Sequence, residues 1–208
     1  MGHTLNPLRQ YAKDILPDDG VGPKTIKYPN GLILTIETPY DDINEPPWER
    51  GDGHGPVSQW RSIESKDPGE CVLMTDGPDR ALFYDFAEAT RIAKQDGWGA
   101  KGGKREGETE KAYRARAVEE DFQYLRAFCH DEWAYIGLIV TLLHEDGTCL
   151  DQDAVWGYET DSRESLEYVN AEARSWAAYM LRKYRRYRTT PCKCCGQKLP
   201  PAQVMVNA

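Results

Sequence analysis

The sequence has no run of 18 apolar residues, so a membrane-spanning helix is not expected. Its first twenty residues also lack the apolar segment of a secretory signal peptide, which predicts a cytoplasmic protein with free thiols. No Walker loop, GxSxG, HExxH or GxGxxG motif in a strand–loop–helix context is present. These absences favour a non-enzymatic function, although they do not exclude every kind of enzyme.

The 208 residues are long enough for one domain with appendages, and they include six Trp, twelve Tyr and four Phe. That aromatic content predicts a folded core rather than a disordered chain.

Charge is distributed unevenly along the chain, whose net charge is −8. From residue 181 onward there are seven Lys or Arg and no Asp or Glu, so the first 180 residues carry a net charge of −15. An acidic body of this kind repels nucleic acids and membrane surfaces and attracts basic partners.

The pattern of apolar residues predicts an α+β fold, in which an antiparallel sheet is packed by about three helices. A Pro-Asn-Gly turn predicts the first hairpin, and Asp85 and Asp161 are predicted helix caps, each followed by Glu three residues later. The predicted strands cover residues 25–28, 32–38, 70–75, 80–84, 132–143 and 149–158, with a short strand near 57–61, and the predicted helices cover 86–96, 109–128 and about 162–187. The segment 132–143 is apolar at both alternating sets of positions, which predicts a central strand covered on both faces.

Three regions are expected from this pattern. Residues 1–23 form an N-terminal arm, residues 24–187 form a single α+β domain, and residues 188–208 form a basic tail that contains cysteine. The long loop at 39–69 is rich in proline, glycine and acidic residues, and loops of that length are usually functional or disordered.

Five segments of the chain carry a resemblance to a known group of proteins. They read YPNGLILTIE, DGHGPVSQW, YDFAEATRIAKQDGWGA, ARAVEEDFQYLRAFCHDEWAYIGLIVTLL and WGYETDS. Together they resemble a family of small uncharacterised proteins of tailed bacteriophages, over roughly residues 25–178. The resemblance implies a phage-encoded protein that acts in the cytoplasm of an infected bacterium, and it implies no activity.

The acidic body has a functional interpretation, in which carboxylates imitate a DNA backbone and occupy a basic cleft of a host or antiviral-defence protein. Ordinary solubility is the alternative. The densest acidic clusters, which we take as the candidate binding residues, are Asp41, Asp42, Glu119, Glu120, Asp121, Glu145 and Asp146.

A basic strip near the C-terminus, in which Tyr184 and Tyr187 alternate with cations, suggests nucleic-acid contact through phosphates and stacked bases. Its candidate contact residues are Arg182, Arg185, Arg186 and Arg188. The alternative is a solvated helix end that complements the acidic body.

Three cysteines crowd together at Cys192, Cys194 and Cys195, and Cys192-X-X-Cys195-Gly is half of a zinc-binding pattern. Three alternatives are open for them: zinc ligation, reduced surface thiols and thiol redox chemistry. The further zinc ligands would come from Cys71, Cys129, His130 or Cys149, or from a second copy in a dimer that shares one zinc ion.

His54, in the loop Asp-Gly-His-Gly-Pro, is the candidate general base of a hydrolase or transferase. A lone histidine among glycines is also explained by a turn with only a structural role. We therefore assign no catalytic residue from the sequence, and the leading hypothesis is a phage accessory protein that inhibits a host or defence protein through its acidic surface.

Overall fold

A computed structural model describes residues 23–28, 31–42, 45–50 and 53–189, with side chains through residue 184. The arm predicted at 1–23, apart from Pro23, lies outside the described residues, as does nearly all of the tail predicted at 188–208. Within the described part of the chain, no helix has an apolar stretch suited to crossing a bilayer.

The described residues form seven strands and three α-helices, which confirms the α+β prediction. The strands are β1 Pro23–Lys27, β2 Leu32–Glu37, β3 Arg61–Ser62, β4 Glu70–Asp76, β5 Arg80–Asp85, β6 Tyr135–His144 and β7 Cys149–Glu159. The helices are α1 Phe86–Asp96, α2 Glu110–Cys129 and α3 Arg163–Thr189.

Two compact units divide the chain, whereas the sequence predicted one domain over residues 24–187. The first unit combines the residues up to 42 with those from 134 onward, and the second is Ile43–Trp133. Each unit buries its own apolar residues, and hydrophobic spacing along the sequence does not reveal which helix packs on which sheet.

The first unit is an antiparallel sheet in the order β1-β2-β6-β7, with α3 packed on one face. Apolar residues alternate along β2 and β6 and meet α3 in a single core, which confirms the predicted hairpin and the central position of β6. Trp133, which was predicted to lie in this strand, precedes it. The core residues include Leu34, Ile36, Leu138, Val140, Val169, Ala173 and Met180.

The second unit is an antiparallel sheet in the order β3-β5-β4, packed by α1 and α2. Its core is separate from that of the first unit and includes Leu73, Leu82, Tyr84, Ala89, Ala93, Val118, Phe122 and Leu125. The predicted strand near residues 57–61 is represented by an isolated bridge at Val57 and by β3.

Helix ends follow local chemistry. Asp85 caps α1 by accepting a hydrogen bond from the Glu88 amide, and Gly97 ends that helix in the left-handed conformation, so both bounds agree with the prediction. At α3 the predicted cap is wrong. Ser162, rather than Asp161, accepts the hydrogen bond from the Ser165 amide, at 3.1 Å.

Candidate functional site

The predicted acidic clusters do not form one patch. Asp41 lies beside the first residue of β6, because its amide donates to the carbonyl of Tyr135, whereas Glu145 follows the last residue of that strand. A ten-residue strand is roughly 30 Å long at 3.3 Å per residue. Asp41–Asp42 and Glu145–Asp146 therefore lie at opposite ends of β6.

The third predicted cluster belongs to the second unit, and only Glu119 remains exposed without a pairing cation in the described structure. Glu120 pairs with Arg116 at 3.2 Å. The side chain of Asp121 is only 10% exposed, and it accepts three hydrogen bonds from within the unit. The prediction that Asp121 extends an exposed acidic surface is therefore wrong.

The basic strip is only partly described. Arg182 is exposed, but Lys183 pairs with Asp151 at 3.0 Å, and Tyr184 is buried in the core of the first unit. Tyr184 is thus not available to stack on a base. The side chains of Arg185, Arg186 and Arg188 lie outside the described residues.

The zinc prediction also falls outside the described residues, since Cys192, Cys194 and Cys195 all follow residue 189. Among the residues that the structure does describe, no three His, Cys, Asp or Glu side chains come together as metal ligands would.

One surface of the first unit combines exposed aromatic and acidic side chains along β7 and α3. The pairing register of β6 and β7 determines which β7 side chains belong to this surface. Asp153 and Val155 pair with Val140 and Leu138, which face the core under α3, so both side chains lie on the α3 side of the sheet. Because β7 is the edge strand, these positions are exposed although their β6 partners are buried.

Helix α3 contributes the other half of this surface. Tyr168 and Tyr179 lie off the buried stripe of the helix and are 59% and 58% exposed. Contacts join the two elements along their length. The rings of Tyr158 and Tyr168 lie 6.2 Å apart, and the Tyr158 hydroxyl donates to the carboxylate of Glu172.

At the other end of the surface Lys183 pairs with Asp151, and its ammonium lies 5.9 Å from the ring centroid of Tyr179. We refer to this region as the β7–α3 surface. It comprises Asp151, Asp153, Val155, Tyr158, Tyr168, Glu172, Tyr179 and Lys183.

A pocket of about 310 Å³ opens at one end of the β7–α3 surface, lined by Gly157, Tyr158, Glu159, Ser165 and Tyr168. Burial raises the pKa of Tyr158, and the neighbouring Glu172 carboxylate raises it further, so the hydroxyl stays protonated. The pocket offers the aromatic rings of Tyr158 and Tyr168 and the carboxylate of Glu159. This combination suits an apolar or cationic side chain.

The local sequence charge agrees with that chemistry. Residues 149–176 contain seven Asp or Glu and two Lys or Arg, a net charge of −5. One of the two cations, Arg163, is paired with Glu167 at 2.6 Å. This acidic excess can be counted from the sequence, but none of the seven candidate acidic residues lies in this segment.

His54 occupies a second candidate site, in the second unit. Its Nδ1 lies 2.5 Å from Oδ1 of Asp121, and its ring stacks on Tyr124 with centroids 5.4 Å apart. The other carboxylate oxygen accepts from the Gly55 amide at 2.8 Å and from the Tyr84 hydroxyl at 2.7 Å. In a neutral imidazole, this contact with a carboxylate favours the proton on Nδ1 and leaves Nε2 as the acceptor.

Close packing positions this histidine. The loop lies alongside β5, where the Ser58 amide donates to the Phe83 carbonyl at 2.9 Å. A Cβ at position 55 would overlap the Tyr84 ring, so glycine is required there. Burial, together with the Asp121 charge, raises the pKa of Tyr84 and keeps its hydroxyl a donor. No sequence signal could have revealed Asp121 as the partner of His54, because 67 positions separate them.

No protein-family model, curated protein or solved structure matches this chain. The β7–α3 surface and the His54 site are therefore the structural basis for a function.

Proposed function

We propose that this protein acts by binding another protein through the β7–α3 surface and inhibiting it. The observation that carries the proposal is the exposure of Val155 and Tyr168 within the acidic segment 149–176, together with that of Tyr179 on the same helix just beyond it. Tyrosine is enriched among the residues that dominate binding energy at protein interfaces, and exposed apolar side chains rimmed by polar groups mark interaction sites.

The resemblance to tailed-phage proteins supports a partner in the infected bacterium. That partner would be a host or antiviral-defence protein, such as a component of a nucleic-acid-handling complex, whose basic surface complements the acidic one. Charge complementarity would speed association and select against acidic partners. The protein would then act in the bacterial cytoplasm.

Quantitative capture from bacterial lysate tests this proposal when variants are compared. Tyr168→Ser should reduce the recovery of the specific partner at least tenfold, because an interface aromatic commonly contributes more than about 1.4 kcal/mol. Ile63→Ser is the matched control, since Ile63 is an exposed apolar residue of the other unit. Equal capture by wild type, Tyr168→Ser and Ile63→Ser would reject the β7–α3 surface as the binding site.

The Asp121–His54 pair supports a second candidate function, that of a hydrolase or transferase. Because Asp121 holds Nδ1, Nε2 of neutral His54 is able to take a proton from water or an acceptor alcohol, whose oxygen then attacks an acyl or phosphoryl group of the substrate. His54 returns the proton to the leaving alcohol as the bond between that alcohol and the group breaks. A stacked, oriented imidazole with a carboxylate partner is the specific observation that favours this candidate.

Hydrolysis of p-nitrophenyl acetate and bis(p-nitrophenyl) phosphate tests the second candidate. Loss of turnover in His54→Gln, and a fall of tenfold or more in Asp121→Asn, would support it. Turnover by wild type that persists in His54→Gln, or no turnover of either compound, would leave the pair with a structural role, which is to hold the loop against α2.

A further inference from the structure

The exposed edge of β7 has the features of a strand-addition site. In the described sheet β7 has β6 on one side and no strand on the other. All five residues from 152 to 156 are exposed whichever face they occupy, as expected for an edge strand.

The backbone of this edge is directed outward at alternate residues. The amide of Ala154 donates to its neighbour's carboxylate, Asp153 Oδ1, at 3.0 Å, and so it does not serve the ladder with β6. In an antiparallel pair, every second residue directs both its amide and its carbonyl away from the partner strand. Gln152 and Ala154 therefore face away from β6, and an added strand would replace Asp153 Oδ1 as the acceptor of the Ala154 amide.

Charge indicates which strand would pair there. A second copy of this chain would bring its own Asp151 and Asp153 against the same residues, and like charges opposite one another destabilise a sheet. A strand that carries Lys or Arg would place a cation beside Asp153, whose carboxylate pairs with no described cation. Charge complementarity therefore favours a basic segment over pairing of β7 with the β7 of a second copy.

The side chains beside the edge add a second requirement. Asp153 and Val155 share the α3 side of β7 and are two residues apart, so the facing residues of an added strand would also be two apart. One would be a cation opposite Asp153. The next on that face would be apolar, opposite Val155 and towards the pocket beside Tyr168.

We infer that the β7–α3 surface binds an extended basic segment of its partner by strand addition to β7, with a cation and an apolar residue alternating along the face that meets α3. This inference rests on the proposed function and specifies its mode. Backbone hydrogen bonds supply affinity in such complexes, and alternate side chains supply specificity.

A synthetic peptide provides the test with the full-length protein. The probe is a fluorescent decapeptide in which threonine alternates with lysine or valine, and its control replaces each lysine with glutamate. Binding by fluorescence anisotropy should be saturable and weaker at high salt, and the glutamate peptide should bind at least tenfold more weakly. Absence of binding by the lysine peptide would overturn the inference.

Methylation of the peptide backbone distinguishes strand addition from other docking modes. Two further peptides carry N-methyl groups on either the odd or the even residues. Because only alternate amides of an added strand face β7, one peptide should lose binding at least tenfold while the other retains it. Equal affinities, or equal losses, would overturn the inference.

Variants of the protein locate the site. Ala154→Pro removes an amide that β6 does not use, so the fold should persist while peptide binding falls at least tenfold. Asp153→Asn should weaken binding of the lysine peptide severalfold, whereas Glu64→Gln, at an exposed carboxylate of the other unit, should not. Unchanged binding in Asp153→Asn would contradict the inference.

The outcomes separate the two claims. If capture of a protein partner depends on Tyr168 but the two N-methylated peptides bind equally, the proposed function is retained and strand addition is rejected. Protein self-association through β7, measured by sedimentation velocity and abolished in Ala154→Pro, would identify a second copy as the occupant and reject a basic partner.

Discussion

At the scale of single residues, the Tyr84 hydroxyl connects stability to pH. It is buried and donates to Asp121 at 2.7 Å, and both burial and that carboxylate raise the pKa of Tyr84 above its ordinary 10.0. The folded state therefore holds the proton after the unfolded state has released it. This contribution to stability is complete below pH 10 and declines as pH rises above 10.

Tyr84→Phe tests this linkage. The variant should lose about 1–2 kcal/mol of unfolding free energy at pH 8, because Asp121 loses one of its three donors. Above pH 10 the unfolding free energy of the variant should fall less steeply than that of wild type. The difference between the two slopes should be about 1.4 kcal/mol per pH unit. Urea unfolding at pH 8, 10 and 11 measures both effects. Tyr179→Phe, at an exposed tyrosine, is the control, and identical pH slopes in wild type and Tyr84→Phe would contradict the argument.

At the same scale, the sequence located His54 but not its environment. A glycine on each side of an imidazole indicates a loop, and nothing local to that loop indicates which residue of a distant helix will meet the ring. Asp121 was instead assigned to a surface, because its neighbours Glu119 and Glu120 are acidic. The helical repeat turns Asp121 inward, whereas it leaves Glu119 exposed.

At the scale of elements, helix ends were predictable where one residue could act as the cap. Asp85 and Gly97 bound α1 at the residues that the sequence indicates, since each has the chemistry of its position and no competitor beside it. At α3 two adjacent residues, Asp161 and Ser162, both have capping side chains. Propensity alone does not decide between them, and the structure assigns the cap to Ser162.

Substitution at the start of α3 tests that assignment. Ser162→Ala should cost about 1 kcal/mol of stability, because the Ser165 amide loses its acceptor. Asp161→Ala should cost less, since Asp161 Oδ1 accepts from the Ser165 hydroxyl, whereas the Ser165 amide donates to Ser162. Ser175→Ala, on the exposed side of the helix, should gain a few tenths of a kcal/mol. Thermal and urea unfolding provide the values, and a larger loss in Asp161→Ala than in Ser162→Ala would show that the sequence prediction was right.

At the scale of the whole molecule, the α+β class was predictable, but the division into two units was not. The apolar run at residues 132–143 and the hairpin at 25–38 indicate strands of an antiparallel sheet, and these do pair in one sheet. Which sheet the strands at 70–85 would join depends on contacts far apart in sequence. The acidic body is a second example. Its net charge can be counted from the sequence, but the positions of its carboxylates depend on the fold.

Separate cores imply that one unit can open while the other stays folded. The segment Ile43–Trp133 is inserted between β2 and β6, so its unfolding would leave those paired strands joined by a loop of roughly 90 residues, whose closure entropy is about 4 kcal/mol. The core of the first unit, which includes Leu34, Leu138 and Val169, provides stabilisation against that cost.

Leu125→Ala tests the independence of the two units. Leu125 is fully buried in the core of the second unit, and its truncation should destabilise that unit by about 2–5 kcal/mol. Native-state hydrogen exchange should then accelerate in β4, β5, α1 and α2 while β2, β6 and α3 keep their protection. Leu34→Ala is the reciprocal variant, because the same truncation in the first unit should accelerate exchange in the strands around β2. If Leu125→Ala accelerated exchange in β2 and β6 as much as in α2, the chain would be unfolding as one cooperative body, and the separate cores would not act as separate units.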